Sequence, residues 1–202
     1  MNVSPPRDPE ATRQQILTVA AEEIWLKGFQ NASLSVILER AGVSKGALYH
    51  HFKNKQELGY SVFDEVFTQQ YLSKWQFDYA DSDDPISELQ QKFLCKTDEI
   101  SECDLKKGCP VTNISLEMTG VDEGFRQKSI DMYQLVTDRI EKAISDACLR
   151  GFARNDIDPA AVALFLSATI QGMTAQAKYI QSVDLFKSSL EEIARYLETL
   201  RA

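Results

Sequence analysis

AGVSKGALYHHFKNK, residues 41–55, gathers the only two histidines of the chain, a tyrosine and three lysines among two glycines and two alanines. The whole chain is acidic, with a formal net charge of -8. Gly42 is suited to end a helix at positive φ, where it has no Cβ to clash. Val43 plugs the corner, and Ser44 is an N-cap for a helix running to about His51. The segment therefore reads as a tight turn followed by a short helix, with small residues at the helix start. In a helix-turn-helix that first turn enters a major groove.

The flanking sequence supplies the rest of a three-helix unit. Thr12-Arg-Gln-Gln15 fits a capping box. Behind it Ile16, Ala20 and Ile24 fall at i, i+4, i+8 and predict an amphipathic helix that stops at Gly28. Ser33 caps a second short helix, with Leu34, Ile37, Leu38 and Ala41 on its apolar face. Asn54-Lys-Gln-Glu57 opens a fourth helix. Gly46 lets the backbone approach DNA closely, and Ala47 can touch a thymine methyl. Lys45 can reach a guanine edge or a phosphate. Tyr49 and His50 can hydrogen-bond phosphate oxygens. Leu48 and Phe52 point the other way, into the core. Lys55 lies where charge and helix dipole both attract phosphate.

Residues 12–58, with T-R-x-x-I-L-x-x-A and then A-G-V-S-K-G-A-L-Y-H-H-F-K-N-K-Q-E-L, closely resemble the DNA-binding domain of tetracycline-repressor (TetR) family transcriptional regulators. The resemblance implies a three-helix DNA-binding domain, a larger all-helical effector domain, and a homodimer that leaves its operator when a small molecule binds. It implies DNA contacts at Ser33, Ser44, Lys45, Gly46, Ala47, Tyr49, His50 and Lys55. The fold class expected is all-α, about nine helices in total. The expected organisation is a disordered lead over 1–11, a DNA-binding domain over 12–55 and an effector-binding and dimerisation domain over 56–202.

Charge follows that division. Residues 1–55 carry a net charge of +2 and residues 56–202 a net charge of -10. A basic face can bind phosphate while the remainder repels it. The two histidines are adjacent, about 100° apart on a helix, so they are poorly placed to share a metal ion. No cofactor or metal is expected. No G-x-S-x-G, H-E-x-x-H or phosphate-cradling loop is present, which argues against an enzyme. A helical protein-interaction module without DNA binding is the alternative of another class.

The remainder reads as helices. The fourth helix is expected to run from Lys55 to about Tyr79, before the acidic break DSDDP at 81–85. A fifth spans Pro85 to Cys103, with LKKGCP as a loop. A further helical stretch covers 110–119, and a long helix runs from Asp122 to Leu149. Asp158-Pro159 caps a helix whose residues 159–177 carry no charge. Its polar residues argue against a membrane span. Buried on two sides, it fits a dimer interface with the last helix, through Ala161, Ala168, Gly172, Ala175, Phe186, Leu190, Ile193 and Leu197.

An apolar effector pocket is expected from Phe67, Tyr71, Trp75, Phe93, Met118, Tyr133 and Phe165, with Asn113 and Gln171 as polar members. The four cysteines form no C-x-x-C pair, and the chain reads as a cytoplasmic protein with reduced thiols. Cys103 and Cys109 flank two lysines that favour thiolate. GCPVTNISLEM resembles a stretch found in a subset of the family, which implies an electrophile- or redox-sensing repressor as a second possibility.

Overall fold

The computed structural model describes residues 8–75, 83–95 and 101–202. Among these residues the chain is all-α; the nearest thing to a strand is one backbone bridge between Ala153 and Arg201. The helices are α1 (Pro9–Lys27), α2 (Leu34–Ala41), α3 (Lys45–His51), α4 (Lys55–Ser61), a π-helical segment (Val62–Thr68), α5 (Gln69–Ser73), α6 (Pro85–Leu94), α7 (Glu102–Lys107), α8 (Pro110–Met118), α9 (Glu123–Leu149), α10 (Pro159–Ile180) and α11 (Val183–Glu198). They form two compact units. One comprises residues 1–70 and 113–128, the other 71–112 and 129–202.

In the first unit the caps explain the helix starts. Ser33, Ser44 and Asn54 each accept a hydrogen bond from the third amide of the helix they precede. Gly42 is left-handed at φ 60° and ends α2. α1 departs from expectation. It begins a turn earlier, at Pro9, because Asp8 accepts the Glu10 amide at 3.0 Å and Pro9 presets the first φ. Thr12 is therefore not a cap. It is buried and donates its hydroxyl to the Asp8 carbonyl. Residues 9–11, assigned to a disordered lead, are helical; residues 1–7 lie outside the described part.

The first unit closes around α1. Ile16, Leu17, Ala20 and Ile24 are buried with Ile37, Leu48, Phe52 and Leu58. The unit extends past residue 55 and takes in a corner from far along the chain. Phe125 stacks edge-on against Phe29 at 4.8 Å and Tyr60 at 4.9 Å. Gly59 lies beneath them, where a Cβ would run into the Phe29 ring. Glu117 accepts the backbone amides of Phe29 and Gln30, both at 2.8 Å. Asp122 accepts the Tyr60 hydroxyl at 2.7 Å.

The rod after Asn54 is not one uninterrupted α-helix. Seven residues of π-helix separate α4 from α5, a departure that hydrophobic spacing did not foretell. The expected end of the rod near Tyr79 lies outside the described residues, as do positions 81 and 82 of the acidic break.

In the second unit α6 packs along α11. Ile86, Leu89 and Phe93 are buried on one, and Leu190, Ile193 and Leu197 on the other. The helix expected from Pro85 to Cys103 ends at Leu94 instead. Residues 96–100 lie outside the described part. Ser101 and Asp104 then form a capping box that starts α7, so Leu105, Lys106 and Lys107 are helical rather than loop.

The C-terminus is pinned to the start of α6. Arg201 donates to Asp84 at 2.7 Å, to Ser87 at 2.8 Å and to Glu198 at 2.8 Å. Burial pushes the Asp84 carboxyl up, but hydrogen bonds from Ser87 and Arg201 outweigh it and hold it below its ordinary value of 3.8. A depressed carboxyl adds stability above the unfolded-state value, and that stability is lost as pH falls through the lower folded value. Arg201→Ala is expected to cost roughly 1–2 kcal/mol at neutral pH. In urea titrations the deficit should shrink below pH 3.8. A deficit independent of pH would mean that the Asp84 pair is not its source.

Candidate nucleic-acid interface and effector region

α3 is only seven residues long, and its two sides differ sharply. Leu48 and Phe52 are each 1% exposed. Ser44, Lys45, Gly46, Tyr49 and His50 are exposed, and Ala47 is half-buried. The Lys45 ammonium lies 5.9 Å from the Tyr49 ring centre, so cation and phenol share one side of the helix. On the other side Gly42, Ser44, Ala47, His50 and His51 join Pro9 and Thr12 around an open hollow of about 350 Å³. The two imidazole rings are 5.2 Å apart, edge to face. Pro9 and Thr12 were not expected on this face from the sequence, and His51, though expected on it with His50, was not among the residues expected to contact DNA. Periodicity could have pointed to His51, since it lies seven residues after Ser44, on the same side of the helix.

Ser33 is half-buried, and its hydroxyl contacts that of Ser35 at 2.8 Å. Lys55 is the most committed of the expected DNA contacts. Its ammonium donates to the Gln30 carbonyl at 2.9 Å and sits 5.2 Å over the Phe29 ring. Burial lowers its pKa, while nearby Glu117 pulls the other way. The expected DNA contacts thus gather on the α2–α3–α4 side of one unit. Among the described residues no group of three or more His, Cys, Asp or Glu side chains is placed to hold a metal ion.

The residues expected to line an effector pocket divide into three groups. Tyr71, Trp75, Phe93 and Tyr133 form an aromatic chain in the second unit, with ring centres 5.7 to 6.4 Å apart. Tyr133 and Thr112 share a hydrogen bond at 3.2 Å. Burial raises the Tyr71 phenol well above its ordinary value, helped by neighbouring Cys109 and Tyr133. Phe67, Asn113 and Met118 belong instead to the first unit. Phe165 and Gln171 lie on α10. Phe165 is 50% exposed and stacks on Tyr196, and Gln171 donates to the Ser167 hydroxyl.

Cys103 is exposed on α7, and Cys109 is half-buried between Gly108 and α8. Of the flanking lysines, Lys107 lies close enough to Asp104 to depress its carboxyl, after the stronger effect of hydrogen bonds from Ser101.

Of the residues expected at a dimer interface, Ala161, Ala168 and Gly172 are exposed on α10. Ala175 and Phe186 are half-buried. Leu190, Ile193 and Leu197 are at most 4% exposed within the single chain. They fill its own core, because the apolar seam of α11 is already taken by α6. Leu164 (64% exposed) and Phe165 extend the open stripe of α10 in their place. The helix is long and apolar enough to cross a membrane by length and composition, but Val162, Ala163, Leu166 and Ile170 on its other face are buried in protein.

Comparison with known proteins agrees with this arrangement. Residues 16–59 match the family described as "Bacterial regulatory proteins, tetR family", and residues 88–193 match "Tetracyclin repressor-like, C-terminal domain". An HTH-type transcriptional regulator in the lacX 3' region of Lactococcus lactis subsp. lactis is 26% identical over 194 residues, covering 90% of this chain and 94% of that protein. The HTH-type transcriptional repressor NemR of Escherichia coli (strain K12) is 26% identical over 196 residues, covering 93% and 94%. The crystal structure of a TetR transcriptional regulator from Chloroflexus aurantiacus J-10-fl superposes with a TM-score of 0.84 at 19% identity, covering 97% of this chain and 98% of that one. With its recognition helix in place and both halves matched, the chain belongs to the TetR family and is a DNA-binding transcriptional regulator.

Proposed function

We propose that the protein is a homodimeric cytoplasmic repressor, released from a palindromic double-stranded DNA operator by a small, mainly apolar effector. The observation that carries this reading is the two-sidedness of α3. Leu48 and Phe52 anchor it, while Lys45, Gly46, Tyr49 and His50 stand free at its surface. Lys45 and Ala47 are assigned to base edges, and Ser33, Ser44, Tyr49, His50 and Lys55 to the phosphate backbone. Gly46 allows the close approach. A seven-residue helix reads only a half-site, so a second copy is required for a specific operator.

The exposed apolar stripe of α10 is the surface assigned to that second copy. Ala161, Leu164, Phe165, Ala168 and Gly172 recur at helical spacing, and nothing lies within 4 Å of a Cβ built at Gly172. The effector is assigned to the aromatic chain of Tyr71, Trp75, Phe93 and Tyr133. Rings and a buried phenol favour an uncharged ligand with one polar group. NemR, named a transcriptional repressor, supports repression over activation.

A second reading rests on one further observation: the half-buried Cys109 is near enough to Tyr71 to help raise its phenol. There an electrophile alkylating Cys109, or Cys103 nearby in the chain, would take the place of a reversible effector. Cys103→Ser with Cys109→Ser should then abolish release from DNA by N-ethylmaleimide. Unchanged release would leave the reversible effector as the only reading.

Selection of bound duplexes from a random pool tests the main proposal. It should recover a palindrome with half-sites about one helical turn apart. On that operator Tyr49→Phe and Lys55→Ala should weaken all sequences alike, and affinity should fall steeply with salt. Lys45→Ala should cost about 1–3 kcal/mol and also relax base preference. A protein-interaction module would show neither the salt dependence nor the enrichment. Ala168→Arg should convert the dimer to monomer by light scattering and lower operator affinity about a thousandfold or more. A dimer that survives this change would place the interface elsewhere.

A further inference from the structure

The π-helical segment Val62–Thr68 contains a buried polar atom that its own register leaves unsatisfied. The Thr68 hydroxyl is buried and has no hydrogen-bond partner. Five other helical threonines (Thr12, Thr18, Thr137, Thr169 and Thr174) each donate to the carbonyl four residues earlier, at 2.7–3.0 Å. The carbonyl in that position for Thr68 belongs to Asp64. A π-helix bonds each amide five residues back instead of four, which moves the fourth carbonyl out of line. An α-helical register over the same residues would restore the Asp64 carbonyl as the Thr68 acceptor.

The π register is held from outside by two ion pairs. Arg13 of α1 makes a two-pronged pair with Glu65 at 2.6 and 2.7 Å, and Lys128 pairs with Asp64. Val62, Phe63 and Phe67 are buried on its inner side. A change of register by one residue turns the helix beyond it by about 100°, and Glu65, partway along the converting segment, is displaced relative to Arg13. The two registers thus trade one interaction for another: the π form keeps the Arg13–Glu65 pair and loses the Thr68 bond, and the α form does the reverse. Such an exchange between two discrete arrangements is what a bistable element requires.

The segment also has a particular place in the chain. It ends two residues before the first compact unit gives way to the second at Tyr71. Tyr71 and Trp75 belong to the aromatic chain assigned to the effector, and Lys55, at the start of the same rod, is assigned to the operator.

We propose that Val62–Thr68 is a register switch, in which conversion between π and α helix turns the rod and so couples the aromatic region to the DNA-binding face. The coupling part of this rests on the operator reading given above; the existence of the exchange does not.

The test uses the full-length protein and three variants: Thr68→Val, Thr68→Ser and Glu65→Ala. Thr68→Val removes the hydroxyl that favours the α register and Glu65→Ala removes the pair that favours the π register, while Thr68→Ser retains the hydroxyl. Relaxation dispersion of backbone amides, which needs no DNA, should show millisecond exchange over residues 62–70 in the wild type and in Thr68→Ser. The exchanging population should fall in Thr68→Val and rise in Glu65→Ala. Affinity for a duplex selected from the random pool should shift in opposite directions in these two variants, by about threefold or more each. Flat dispersion in every protein overturns the switch. Exchange with unchanged affinities, or with both affinities moving the same way, overturns its coupling to DNA. A wild type that enriches no duplex counts against the operator reading, and the dispersion measurement still decides whether the exchange exists.

Discussion

The packing of Phe125 against Phe29 and Tyr60 is the contact on which the DNA-binding unit depends. A three-helix motif of about fifty residues buries so small a share of its surface that it is only marginally stable alone. Here its last open side is closed by a corner that arrives from residues 113–128. Phe125 is fully buried, Gly59 has given up its side chain to let the rings in, and the Glu117 carboxylate accepts two backbone amides of the turn that follows α1. The orientation of α3, and hence of everything it presents to DNA, is fixed by residues seventy places downstream.

Electrostatics works within that frame. An acidic chain binds a polyanion only if its cations are gathered and its anions are turned away or paired. Lys45 stands beside Tyr49 at the surface. Arg13, by contrast, is committed to Glu65, whose carboxyl it holds below the usual range. Lys55 lies between these cases, tied to the Gln30 carbonyl and partly desolvated. One of its three N–H groups is spent on that carbonyl, so fewer remain for phosphate than its position at the head of α4 suggests.

Much of the fold was legible because it is written in local rules. Ser33, Ser44, Asn54 and Asp158 announce their helices by capping chemistry, and Gly42 announces a turn by its missing Cβ. Asp8-Pro9 and Asp84-Pro85 are the same device as Asp158-Pro159, and reading them alike would have placed the start of α1 correctly. What the sequence withheld is non-local. No spacing says that the seam of Leu190, Ile193 and Leu197 faces α6 instead of a second chain, because an apolar stripe does not name its partner. The aromatic residues of the larger unit share a composition but not a location, so Phe67 and Met118 were grouped with Tyr133 on chemistry alone. The π segment is invisible to a pattern of apolar residues because the same residues remain buried across it.

The long reach of Phe125 has a consequence for how the protein is made. A chain leaving the ribosome presents the helix-turn-helix first, yet the corner that closes it emerges only after some sixty further residues. Until then Phe29, Tyr60 and Phe63 have exposed ring faces that the finished protein hides. The DNA-binding half is thus completed late in synthesis, only once residues 113–128 have emerged. A chain cut short before that corner would carry the whole helix-turn-helix with one side of its core uncovered.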